Sequence, residues 1–130
     1  MKELTLQLFE ELIFALNLSP VDSDEEGHCS LVFDNEIIVD IQLIASESRI
    51  VFTSMVGLLS ETYGNQQLRS LMSLNLAIAR ELSMSLGLEP ETNAVLLTYS
   101  VDVQHVSLST ITEALSLFLS QTEKCQSTLQ

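Results

Sequence analysis

The chain predicts a single α+β domain spanning residues 1–130, with the order αβββαββα and an antiparallel sheet packed with helices. Three observations carry this. At 130 residues with 46 % apolar side chains, the chain suits one domain with a real core. Apolar residues recur at helical spacing near both ends and in the middle, and at alternate positions between. The strand-like runs follow one another through short connections, which join antiparallel neighbours, because parallel ones need a long crossover.

The elements follow in order. From Leu4 to Leu18, the residues Leu8, Phe9, Leu12, Ile13 and Leu16 form a helix stripe, with Gln7, Glu10, Glu11 and Asn17 mostly away from it. Ser19-Pro20 ends this helix, since a residue before proline is pushed out of the helical region. Val21 to Gly27 reads as an acidic loop. Cys29, Leu31 and Phe33 alternate with Ser30, Val32 and Asp34 as a half-buried strand, and Ile37, Val39, Ile41 and Leu43 share one face of a second. Arg49 to Val56 supplies the third, and Leu58 to Gly64 reads as irregular.

The middle helix is predicted from about Asn65 to Arg80. Leu68, Leu71, Met72, Asn75 and Ala79 fall on one side, Leu74, Ala77 and Ile78 on another. A helix apolar on two sides is covered on two sides, which makes its second face a candidate subunit interface. Leu82, Met84, Leu86 and Leu88 then alternate as a strand. A turn at 89–93 leads to another with Val95, Leu97, Tyr99, Val101 and Val103 on one face. The closing helix opens near Ser107 or Ser109, both competent N-caps, and stripes Leu108, Ile111, Leu115, Phe118 and Leu119.

Charge narrows the function. Five basic residues against 18 acidic give −13, and the scattered Lys and Arg argue against nucleic acid as a partner. No apolar run is long enough for a membrane helix, and no signal peptide is expected at Met1-Lys2-Glu3. Cys29 and Cys125 make no disulfide framework, which suits a reduced, cytoplasmic protein. Few charges, nearly all of one sign, on a Leu-rich chain imply exposed apolar contact surface kept in solution by repulsion. Val32, Ile38 and Leu96 on the outward faces of their strands point the same way. A binding protein is expected before an enzyme.

The chemical motifs are weak. Asp22-Ser23-Asp24-Glu25-Glu26-Gly27 opens like a calcium loop, but Phe33 stands where the bidentate Glu belongs. His28 and Cys29 are adjacent and would point to opposite faces of a strand; His105 and Cys125 lack zinc spacing. Gly27, Gly57, Gly64 and Gly87 form no phosphate-cradling loop, and there is no nucleophile elbow. No catalytic, metal or cofactor-binding residue is assigned.

Over essentially its whole length the chain resembles the class I type III secretion chaperones of Gram-negative bacteria, the Tir-chaperone-like family. The resemblance rests on the opening helix ending Leu16-Asn17-Leu18 and on Cys29-Ser30-Leu31-Val32-Phe33-Asp34. It continues through Leu71-Met72-Ser73-Leu74-Asn75-Leu76-Ala77, Leu86-Gly87-Leu88-Glu89-Pro90-Glu91-Thr92 and the closing helix. It implies a cytoplasmic homodimer without ATPase activity that binds the unfolded N-terminal segment of a secreted effector. The segment stays secretion-competent and passes to the export apparatus. It further implies dimerisation through Leu71, Leu74, Ile78, Leu82 and Met84, and effector contacts at Phe9, Ile13, Leu31, Phe33, Tyr99 and Val101. Two other readings stay open: a regulatory chaperone that sequesters an anti-activator, and a small-ligand-binding or enzymatic α+β domain with a deep polar pocket.

Overall fold

The structure is a computed structural model that describes residues 10–12, 14, 22–25, 27–33, 37–104 and 106–129. Glu10, Glu11, Leu12 and Phe14 are helical, and Leu12 is wholly buried, as the opening stripe requires.

Among the described residues six strands form one antiparallel sheet: β1 (Asp22–Glu25), β2 (His28–Phe33), β3 (Ile37–Ile44), β4 (Arg49–Leu58), β5 (Met84–Glu89) and β6 (Ala94–Asp102). Their spatial order is β1-β2-β3-β4-β6-β5, so among the described residues β1 and β5 are the edges. The middle helix (Gly64–Leu82) connects β4 to β5, and the closing helix (Leu108–Leu129) follows β6.

Side-chain alternation splits the sheet into two faces. Cys29, Ile41, Phe52, Tyr99 and Met84 stand in one cross-strand row on the inner face. The closing helix packs onto β4 and β6 with Ile111, Leu115, Phe118 and Cys125 buried, one stripe of a 3.6-residue period. Phe52, Phe118 and Tyr99 meet there, with ring centroids 5.8 to 6.4 Å apart. Ser54 is a buried polar residue on this face. Its hydroxyl meets Thr122 Oγ1 at 2.8 Å, and Thr122 donates to the Phe118 carbonyl, so neither is an unsatisfied group. Ser107 Oγ accepts from the Thr110 amide and caps the closing helix, one of the two positions expected.

Three boundaries differ from expectation. The acidic stretch after Val21 is not a free loop. Asp22–Glu25 forms the edge strand β1, turned into β2 at Gly27, whose φ of +80° suits a residue without Cβ. In the described sheet β1 pairs on one side alone, with β2. Strand periodicity does not begin at Leu82. The helix holds that residue and ends at Ser83 in the left-handed region, φ 59°. Ile78, Leu82 and the apolar residues beyond them fit both periods, and packing chose the helix. Finally, β4 runs to Leu58 through a bulge at Met55–Gly57. Here a Cβ on Gly57 would sit 2.9 Å from Leu129 of the closing helix.

Candidate functional site

The sheet's outer face is mostly polar. Ser30, Asp40, Thr53, Thr98 and Ser85 make one row across it. Within this row Asp40 Oδ1 accepts from Ser30 Oγ at 2.6 Å and lies 3.0 Å from His28 Nε2. The row beside it is different. Val32 pairs with Ile38, and Met55 pairs with Leu96, one step beyond the Val39–Ser54 pair. Ile38 is 55 % exposed and Met55 46 %, while Val32 and Leu96 are half-buried. Leu58, at the end of β4, adds a further exposed side chain. This row is an apolar stripe crossing four strands, on a face against which neither the middle nor the closing helix supplies a buried stripe.

A second apolar surface lies beside β5. On the middle helix Leu71 and Ile78 are buried, Leu74, Asn75 and Leu82 half-buried, and Met72 and Leu76 are 65 % and 55 % exposed. The inward stripe therefore follows 71, 74, 78 and 82, and the outward surplus is the i, i+4 pair Met72–Leu76. Between helix and strand runs a groove lined by Leu68, Met72, Asn75, Leu86 and Leu88 among others. Asn75 is its one polar side chain, and no titratable group lines it.

The sequence-predicted positions divide accordingly. Phe9 and Ile13 lie outside the described residues. Leu31 has no exposed surface and belongs to the core, so in this form it offers a partner nothing. Phe33, Tyr99 and Val101 are half-buried and packed against the same core from the inner face. Leu71, Ile78 and Met84 are at most 4 % exposed within the single chain. Their apolar character is used by the subunit's own sheet and helices. Leu74 and Leu82 keep some surface. The outward strand positions Val32, Ile38 and Leu96 do share a face. Met55 was missed, although alternation from Arg49 would have placed it there. Asn75 was seen only as one member of an apolar helix side.

The titratable groups form no reactive site among the described residues. Burial, and then the negative charge of Asp40, pushes the Cys29 thiol up; burial alone does so for Cys125. A protonated thiol is a poor nucleophile. His28 and Cys29 point to opposite faces, and no group of three metal-ligating side chains comes together among the described residues. His105 lies outside them. No helix among them is long and apolar enough to cross a membrane.

Comparison with known proteins then decides the family. The profile of the Tir chaperone protein (CesT) family matches residues 7–126. The chain belongs to that family. Its members are chaperones, and the resemblance to type III secretion chaperones is borne out in the structural neighbours. The ExsC–ExsE complex contains a chain superimposing with a TM-score of 0.76 at 25 % identity, covering 99 % of this chain and 96 % of that one. The HopA1–SchA chaperone–effector complex gives 0.71 at 15 % identity, over 93 % and 91 % of the two chains. The Yersinia pestis type III secretion chaperone SycH, solved with a stable fragment of YscM2, gives 0.69 at 21 %, over 93 % and 98 %. The last two likenesses speak for the fold. A comparison with curated protein sequences finds no significant match.

Proposed function

We propose that this chain is a type III secretion chaperone of the cytoplasm, acting without a chemical step. It binds the N-terminal segment of a secreted effector in extended form and keeps it secretion-competent. The observation that carries the reading is the exposed apolar row Val32–Ile38–Met55–Leu96 on a member of a chaperone family. An unfolded segment with intermittent apolar residues lays them on such a row, and its backbone can pair along an open sheet edge. Holding the segment extended prevents its own collapse. Ordering a flexible chain is costly, so the contact should bury upwards of ~1,600 Å² in total. The surplus of negative charge favours basic segments and speeds encounter, with a salt-dependent rate.

The dimer belongs to the same reading. Of the residues implied by resemblance, Leu74 and Leu82 retain surface for a second copy. Met72 and Leu76 extend that surface, whereas Leu71, Ile78 and Met84 support it from within. The deciding experiment is co-expression with the N-terminal segments of proteins encoded beside this chain, followed by purification and limited proteolysis. A protease-protected segment bound to a folded dimer is the expected result. Binding that survives Ile38→Asp with Met55→Asp unchanged would refute the outer row as its seat.

A further inference from the structure

We infer that Asn75 locks the β5 edge of the sheet against strand addition. The inference deepens the proposed function: it rests on that reading's premise that a client segment pairs along a sheet edge, and it says which edge is closed.

Among the described residues the sheet has two edges, β1 and β5. An edge strand presents every second amide and carbonyl outward, ready to pair with another chain. In β5 the Leu86 amide points away from β6 and donates instead to Asn75 Oδ1 at 2.8 Å. Antiparallel alternation then makes Met84 and Leu88 the other outward positions. Met84 is 1 % exposed, closed off near the helix end, while Leu88 is 41 % exposed. The central outward amide of a six-residue strand is thus occupied by a side chain from the chain's own middle helix.

The amino acid suits the task. An amide oxygen on a helix facing a strand accepts one hydrogen bond without bringing a charge into an apolar groove. Asn75 is the one polar residue lining that groove, and an apolar residue of similar size would leave the Leu86 amide for an incoming strand. With the lock in place, β5 offers a partner side chains (Leu88, and Met72 on the helix) and no continuous backbone ladder. A second copy can pack on this side, but it cannot continue the sheet through it. A strand-adding client is left with the β1 edge.

Amide exchange followed by NMR on the full chain without any client tests this, so its failure leaves the chaperone reading standing. In the wild-type protein the Leu86 amide should exchange roughly ten-fold more slowly than that of Leu88, though both lie on an edge. Asn75→Ala should bring Leu86 to the Leu88 rate while the Phe52 amide of the core stays protected. It should also give larger, concentration-dependent assemblies by light scattering. Asn75→Asp keeps the acceptor oxygen, though it adds a charge to the groove, and should keep the Leu86 protection. Equal wild-type rates at Leu86 and Leu88 overturn the inference. So does an Asn75→Ala protein with unchanged Leu86 exchange or unchanged mass, or an Asn75→Asp protein whose Leu86 amide exchanges as fast as in Asn75→Ala. Should Asn75→Ala unfold, the wild-type and Asp comparisons decide alone.

Discussion

The two faces of the sheet are built from the same strands and have opposite fates. On the inner face Leu31, Val39, Ile41, Ile50, Phe52 and Leu97 lose all contact with water. On the outer face their sequence neighbours Val32, Ile38, Val51 and Leu96 stay partly exposed. Hydrophobicity does not separate the two sets. The covering does: the closing helix packs on β4 and β6 from the inner side and leaves the outer face open. An apolar side chain therefore stabilises the fold on one side and is available to a partner on the other. Substitutions can tell them apart.

The largest contrast is expected on the middle helix. Ile78→Glu places a charge among the chain's own buried side chains, and loss of cooperative unfolding in urea is the expected outcome. Leu76→Glu, on the exposed side, should leave a folded chain whose mass in light scattering falls to that of a monomer. A folded Ile78→Glu protein would remove the distinction between the two sides of this helix.

Across the sheet, Phe52→Ala should cost about 3–5 kcal/mol in urea unfolding, because it opens a cavity against Phe118 and Tyr99. Ile38→Ala, on the outer face, should stay within about 0.5 kcal/mol of wild type. Its effect should instead appear as weaker binding of a client segment in titration calorimetry.

The inner face also holds a polar pair that sharpens the contrast. Ser54→Ala alone strands part of the Thr122 hydroxyl's bonding and should cost about 1–3 kcal/mol. Adding Thr122→Val should cost less than the two single changes summed, since the pair is lost once. Additive costs would show that the two hydroxyls do not depend on each other.

The smallest effects lie in the turns. Ser83→Gly relieves a left-handed backbone at the helix end and should stabilise by about 0.5–1 kcal/mol. Glu89, on the surface, has its carboxyl held below its usual range by hydrogen bonds from Thr92 and then Glu91. A depressed carboxyl stabilises above its unfolded pKa, and that contribution fades as pH falls through the folded value. In Glu89→Gln the turn should lose this acid sensitivity, read from the Thr92 amide shift between pH 7 and pH 3.

Much of the fold was legible because periodicity is local. Alternation in β2, β3 and β6 identified the inner residues Cys29, Leu31, Ile37, Val39, Ile41 and Leu97, and a 3.6-residue period gave the closing stripe from Ile111 to Phe118. The site was less legible. Leu71, Leu74 and Ile78 look like surplus on a helix taken alone, since a helical wheel does not say which arc is covered. Contact with β5 and the closing helix covers Leu71 and Ile78 and leaves Met72 and Leu76 outside.

The amino-acid sequence by itself determined the element order apart from β1, the faces of the other strands, the acidity and the presence of more apolar surface than one chain needs. These follow from neighbours a few residues apart and from composition. Only the tertiary structure decided where the surplus lies: Met55 beside Leu96, and the Leu86 amide beside Asn75. Which alternate face is buried, and which outward amide is already taken, depends on elements remote in the chain, and spacing within a strand carries no record of them.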